Sequence, residues 1–142
     1  MKENIFSEKA VKVFKASLGA IPEVKQYILE KTGPLLRDKK KEMQILLAVE
    51  EIIVNIINHA QIKRPEIIIE IDISSKRLIV KILDYGIPFN PLEVGEPDIK
   101  SSLLEREIGG LGLFLVRQVV DEIKYQRIDE KNCIIMVFNL SN

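Results

Sequence analysis

At 142 residues the chain can bury one proper core and is too short for two ordinary domains, so residues 1–142 read as a single domain. Its 46% apolar and 30% charged residues are globular proportions and exclude a disordered chain. Lys and Arg number 21, as do Asp and Glu, so no net field draws in nucleic acid or an anionic membrane.

The polar start Met1-Lys2-Glu3-Asn4 does not read as a signal peptide, and no apolar run reaches bilayer-spanning length. This points to a cytoplasmic protein. Alternation over Ala10–Ala16 predicts a half-buried strand, broken at Ser17-Leu18-Gly19. Ile21, Val24, Tyr27 and Ile28 fall at helical spacing, with Pro22 suited to the first turn and Gly33-Pro34 ending the run. The one basic cluster, Arg37-Asp38-Lys39-Lys40-Lys41, reads as a solvated entry turn with Asp38 as N-cap.

The helix that follows organises the chain. Leu46–Ala60 holds no Gly or Pro and is apolar nearly all round, which places it inside the domain. At about 100° per residue, Glu51, Asn55 and Asn58 share one narrow polar stripe. A carboxylate and two amides are costly to bury without partners. The stripe is therefore either an internal hydrogen-bond network, a solvent-facing seam or the wall of a ligand cleft. The single histidine, His59, leaves no room for a Ser–His–Asp triad elsewhere.

Glu66–Ile73 and Arg77–Leu83 predict an antiparallel hairpin around Ser74-Ser75-Lys76. It runs into Asp84-Tyr85-Gly86-Ile87-Pro88-Phe89-Asn90-Pro91, too rich in Gly and Pro to be regular. Residues 92–109 show no period, and irregular segments of that length are usually lids or binding loops. Gly109-Gly110-Leu111-Gly112 then opens a helix over Leu113–Val120. Glu122–Asp129 and Asn132–Leu140 predict a last strand pair, with lone Cys133 as a buried thiol, so disulfides and zinc are excluded. Helices interleaved with hairpins give an α+β fold: a two-layer sandwich with helices on one face of a mixed, largely antiparallel sheet.

Three places carry candidate chemistry. Asn55 offers an amide oxygen suited to magnesium, which commonly sits between one or two protein oxygens and substrate phosphates, and Glu51, one turn earlier, can act as a base. Asp84 at a strand end can accept from an amino group such as that of adenine, with Gly86 permitting close approach; the plain alternative is a turn. Gly109, Gly110 and Gly112 at a helix start leave N–H groups free for phosphate, or else form a flexible joint. Neither the dinucleotide fingerprint nor the P-loop is present.

The order of these motifs is more specific than any one of them. Ala48-Val49-Glu50-Glu51 leading to Asn55-Ile56-Ile57-Asn58-His59-Ala60 comes first. The Asp84–Pro91 stretch follows, then Gly110-Leu111-Gly112-Leu113-Phe114-Leu115-Val116 with Asp121-Glu122-Ile123. This resembles the GHKL ATPase family (gyrase, Hsp90, histidine kinase, MutL), whose shared architecture is the Bergerat fold. The match is closest to the branch of anti-sigma factor serine/threonine kinases, over nearly the whole chain.

The resemblance implies ATP and Mg2+ as cofactors. Asn55 would hold the metal, Glu51 would be the catalytic base, and Asp84 would read the adenine amino group with Gly86 beside it. Gly109, Gly110 and Gly112 would wrap the phosphates as a lid over about 92–109 closes. His59 would be structural, and Arg106 is a candidate for the terminal phosphate. No helix bearing a phosphoacceptor His precedes the domain, so a complete histidine kinase is not expected. The implied activity is phosphorylation of a Ser or Thr on an anti-anti-sigma (STAS-type) antagonist, with a sigma factor or similar client bound. Members of the branch are commonly dimers, so a homodimer is open. The alternative is a nucleotide-gated binding module with little or no kinase activity.

Overall fold

The computed structural model describes residues 7–93 and 110–140. The expected segment 94–109, with Arg106 and Gly109, lies outside the described residues. Strand β1 (Ser7–Lys15) leads through a 3-10 turn into α1 (Ile21–Thr32) and α2 (Lys39–His59). The hairpin β2 (Glu66–Ser74) and β3 (Arg77–Asp84) follows, then a second 3-10 turn at Pro91–Glu93. Helix α3 (Gly110–Val119) and the hairpin β4 (Glu122–Ile128) and β5 (Lys131–Asn139) complete the order. Gly110 and Gly112 thus lie inside the first turn of α3, ahead of the Leu113 start that periodicity predicts.

The strands form one sheet in the order β1-β2-β3-β5-β4. All its pairings are antiparallel, so the expectation of a mixed sheet is corrected. The reason is the connection after β3. It carries the chain through α3 to the far edge as β4, and β5 then turns back antiparallel between β3 and β4.

Local sequence explains the joints. Asp38 caps α2, its carboxylate accepting from the Lys40 N–H at 2.9 Å. At the other end Gln61 takes a left-handed conformation (φ 48°) and ends the helix after Ala60. Ser74 Oγ accepts from the N–H groups of Lys76 and Arg77 and closes the first hairpin. Asp129 and Glu130, at φ 46° and 64°, make the two-residue turn of the second. Positive φ at both central positions matches the twist of the flanking strands, and Asp tolerates it better than most residues.

Helix α2 sits at the centre of the helical layer. It buries Ile45, Ala48, Val49, Ile52, Ile53, Val54 and Ile56, each aliphatic side chain of Ile or Val contributing about 1.5–3 kcal/mol. Against it lie Ile67, Ile69, Ile71 and Ile73 of β2 and Leu78, Val80 and Ile82 of β3, one alternating face of each strand. A Lys25–Glu50 ion pair at 2.8 Å joins α1 to α2, and Lys41–Asp121 links the start of α2 to the residues after α3. Strand β5 is buried on both faces, its outer residues Cys133 and Ile135 packing with Leu83. Among the described residues no helix is long and apolar enough to cross a membrane.

Candidate functional site

The polar stripe of α2 divides in the structure. Asn55 is buried at 2% exposure, Glu51 is half-buried, and Asn58 is exposed. Asn58 is therefore a surface residue at the emerging end of the helix, and the buried chemistry narrows to Glu51 and Asn55. Asn55 Nδ2 donates to the Glu51 backbone carbonyl at 2.8 Å. With its nitrogen committed to the helix backbone, the side-chain oxygen is the atom left to meet a cation. Among the described residues Glu51 Oε2 is buried without a hydrogen-bond partner. Burial, and secondarily the neighbouring Glu50 charge, raises the Glu51 pKa above its ordinary value. A carboxylate in that setting binds a proton more readily than in water, as a general base must.

Asp84 ends β3 and is fully buried. Its Oδ1 accepts from the Gly86 N–H at 2.8 Å and from Asn132 Nδ2 at 3.0 Å. Among the described residues its Oδ2 is buried with no partner. Burial raises the Asp84 pKa, opposed by the Asn132 and Gly86 hydrogen bonds and by the Arg127 charge. An orphaned carboxylate oxygen in a dry setting costs free energy unless a donor arrives, and an exocyclic amine is such a donor.

The demand for glycine at position 86 comes from within the fold. A Cβ there would meet the Ala60 carbonyl oxygen at 2.5 Å, Asp84 Oδ1 at 2.7 Å and Ala60 Cβ at 2.8 Å. The turn is pressed onto the end of α2, where Ile87 N–H donates to the same Ala60 carbonyl at 2.9 Å and Lys63 N–H donates to Tyr85 O. Helix α2 thus positions Asn55 and the Asp84 turn together. His59 meets Phe89 in the same joint as a tilted ring pair with centroids 5.8 Å apart. Beyond Phe89, Asn90 Oδ1 accepts from Leu92 N–H, and Arg117 of α3 donates to the Leu92 carbonyl.

Sequence reasoning missed Asn132, Tyr125 and Arg127. Asn132 is buried, directly opposite Asp84 in the β3–β5 register, and bonded to Asp84, Ile87, Phe89, Tyr125 and Arg127. Arg127 also donates to the Gly86 carbonyl at 2.8 Å. The available signal was a polar residue inside the otherwise apolar run Asn132–Phe138. Among the described residues no three His, Cys, Asp or Glu side chains gather as a metal cluster. The residues present fit a magnesium shared with phosphates, for which Asn55 would supply the protein oxygen.

The histidine kinase-like ATPase domain family matches residues 14–138. The chain belongs to this family. It is 34% identical over 84 residues to the serine-protein kinase RsbW of Listeria monocytogenes and 33% identical over 84 residues to that of Listeria innocua. Each match covers 55% of the chain and 54% of the relative, so the chain spans about half the length of these curated relatives. Among solved structures, the RsbU and RsbW domains of a Mycobacterium tuberculosis protein superpose with a TM-score of 0.68 at 14% identity, covering 95% of this chain and 33% of that one. The histidine kinase AdeS of Acinetobacter baumannii gives 0.51 at 18% identity, covering 94% and 68%. At those identities the structures establish the fold alone, and they agree with the α+β sandwich.

Proposed function

We propose that this single domain binds ATP with magnesium and acts as a serine/threonine protein kinase of the anti-sigma factor type. The observation that carries the reading is Asp84. It is sealed in the core with one carboxylate oxygen saturated by Gly86 and Asn132, while the other is unpartnered. Among the described residues nothing uses that oxygen, and an adenine amino group would satisfy it.

In this reading Asp84 takes the adenine amine, and Gly86 lets the turn seat on α2 so that Asp84 is held there. Asn55 holds the magnesium that would bridge the phosphates and neutralise their charge. The backbone N–H groups at Gly110 and Gly112, with Gly109 before them, receive the phosphates at the start of α3. Glu51 takes the proton of the acceptor hydroxyl on a partner protein. The likeness to the RsbW serine-protein kinases supports a protein substrate, and the branch supports an anti-anti-sigma antagonist with a sigma factor as client. The setting is cytoplasmic.

The test is phosphotransfer from labelled ATP to candidate antagonist proteins by wild type and Glu51→Ala. Label on Ser or Thr from wild type, abolished in the variant while ATP binding persists, is the expected result. ATP-dependent partner binding without any labelled product would refute the kinase and leave a nucleotide-gated binding module.

A further inference from the structure

Strands β1 and β4 end the sheet, and among the described residues each has one unpaired edge. An open edge offers a row of backbone donors and acceptors to any extended chain unless its side chains discourage the approach. The β4 edge carries Glu122, Lys124 and Arg127 along its length. The β1 edge is different. Its outer face reads Lys9, Val11, Val13, Lys15, and the two valines are 61% and 49% exposed. On the opposite face Phe14 is buried and Ala10 packs against the core.

The register shows which backbone groups are free. Pairs across β1 and β2 run to Lys15–Glu66, and the next N–H, that of Ala16, donates to the Pro65 carbonyl at 3.0 Å. Antiparallel ladders alternate bonded and non-bonded pairs, so the even residues of β1 bond to β2 and the odd ones turn N–H and C=O outward. Lys9, Val11 and Val13 therefore present both groups at the free edge. Lys15 presents its N–H there, its carbonyl accepting from Ser17 N–H at 2.9 Å. The exposed side chains and the open backbone groups thus belong to the same residues. On the inner side, a concavity of about 360 Å³ lined by Lys12, Gln26, Tyr27 and Glu30 lies between β1 and α1 and leaves room for alternate side chains of an added strand.

We propose that the free edge of β1 is a docking site for an extended segment of a partner protein, added to the sheet as a sixth strand. Main-chain bonds to Lys9, Val11 and Val13 supply the attachment, and the side chains supply the choice. The outer pattern is cation, apolar, apolar, cation. Its complement is a segment with two β-branched residues on one face flanked by acidic ones, since β-branched pairs and opposite charges directly across a ladder are favourable. Asp72 and Glu66 neighbour Lys9 and Lys15 on the β2 side, and the other side of each lysine is where the added carboxylates fall.

A second copy of the chain fits this edge poorly. The two-fold register that matches both valines sets Lys9 against Lys15 and Lys12 against Lys12, and like charges directly opposite are repelled. The lysines guard the edge against its own kind and leave it open to an acidic strand. This surface owes nothing to the nucleotide reading, which stands or falls separately.

The experiment uses two synthetic peptides, Glu-Thr-Val-Thr-Val-Thr-Glu and the same sequence with Lys at both ends. Both patterns are palindromic, so each can add in either direction. Titration into the full chain should show the acidic peptide binding about tenfold more tightly, a preference that shrinks in about 1 M salt. Lys9→Glu combined with Lys15→Glu should reverse it. Amide hydrogen exchange followed by NMR supplies the readout that mere surface adhesion would not move. Saturating acidic peptide should slow exchange at Lys9, Val11 and Val13 by about tenfold or more, leaving the even residues, already bonded to β2, unchanged. If the double variant does not fold, this alternation decides alone. No binding, equal binding of the two peptides, or protection without the alternation would overturn the proposal. Protection of the same three amides that grows with protein concentration in the free chain would assign the edge to a second copy and overturn it too.

Discussion

Gly86→Ala isolates how tightly the Asp84 turn is built. The added methyl would lie 2.5 Å from the Ala60 carbonyl oxygen, about 0.9 Å inside the 3.4 Å limit of ordinary contact. Two of its three close neighbours belong to Ala60, the C-cap of α2, and the third is the carboxylate oxygen that Asn132 holds. The clash is one of space, so the turn must lift from α2 or Asp84 must rotate. Overpacking of this kind costs about 1–3 kcal/mol, a fall in Tm of roughly 4–10 °C for a domain of this size. Either movement also displaces the acceptor, so ATP affinity drops by about tenfold or more. Urea denaturation of the free protein and calorimetric titration with ATP measure the two effects separately. A variant with unchanged midpoint and unchanged affinity would refute the packing argument. Lost stability with intact binding would refute the link from turn to acceptor.

Glu51→Gln should leave ATP binding within about twofold and remove phosphotransfer, since only the proton acceptor is lost. In wild type, the raised Glu51 pKa means that phosphotransfer declines as pH falls through that raised value, where a rate–pH profile would show it. Asn55→Ala should abolish the magnesium dependence of ATP binding, read by titration with and without the metal; a retained dependence would remove Asn55 from the metal site. Asp38→Ala deletes the cap of α2 and should lower stability by about 1 kcal/mol with nucleotide affinity unchanged, measured by urea denaturation.

Much of the fold was readable because local rules agreed with one another. Asp38 before an apolar run, Ser74 in a short turn and strict alternation in Glu66–Ser74 each have one economical solution, and the chain adopts it. The buried pair Glu51 and Asn55 and the turn at Asp84 were legible from residue types too unusual for their surroundings. Asn58 was not, because periodicity assigns a face to a residue and cannot tell where along a helix the covering layer ends. Asn132, Tyr125 and Arg127 were hidden for a different reason. Their value depends on β5 lying beside β3 in the register that puts Asn132 opposite Asp84, and a sequence of alternating strands does not state which strands are neighbours. The mixed sheet failed on the same point of strand order.

The central claim is that Asp84 is held as an acceptor for a nucleotide base at some expense to the free fold. Its pKa is raised by burial, so its contribution to stability is full below the unfolded value near 3.8 and is lost as pH rises through the folded value. Asp84→Asn removes that charge. The decisive measurement is therefore titration of ATP with magnesium into wild type and Asp84→Asn, with Tm of the free proteins recorded at pH 4 and pH 7. The account predicts binding by wild type and its loss in the variant, whose Tm at pH 7 equals or exceeds that of wild type, an advantage that narrows at pH 4. No ATP binding by wild type, or equal binding by both proteins, would contradict it.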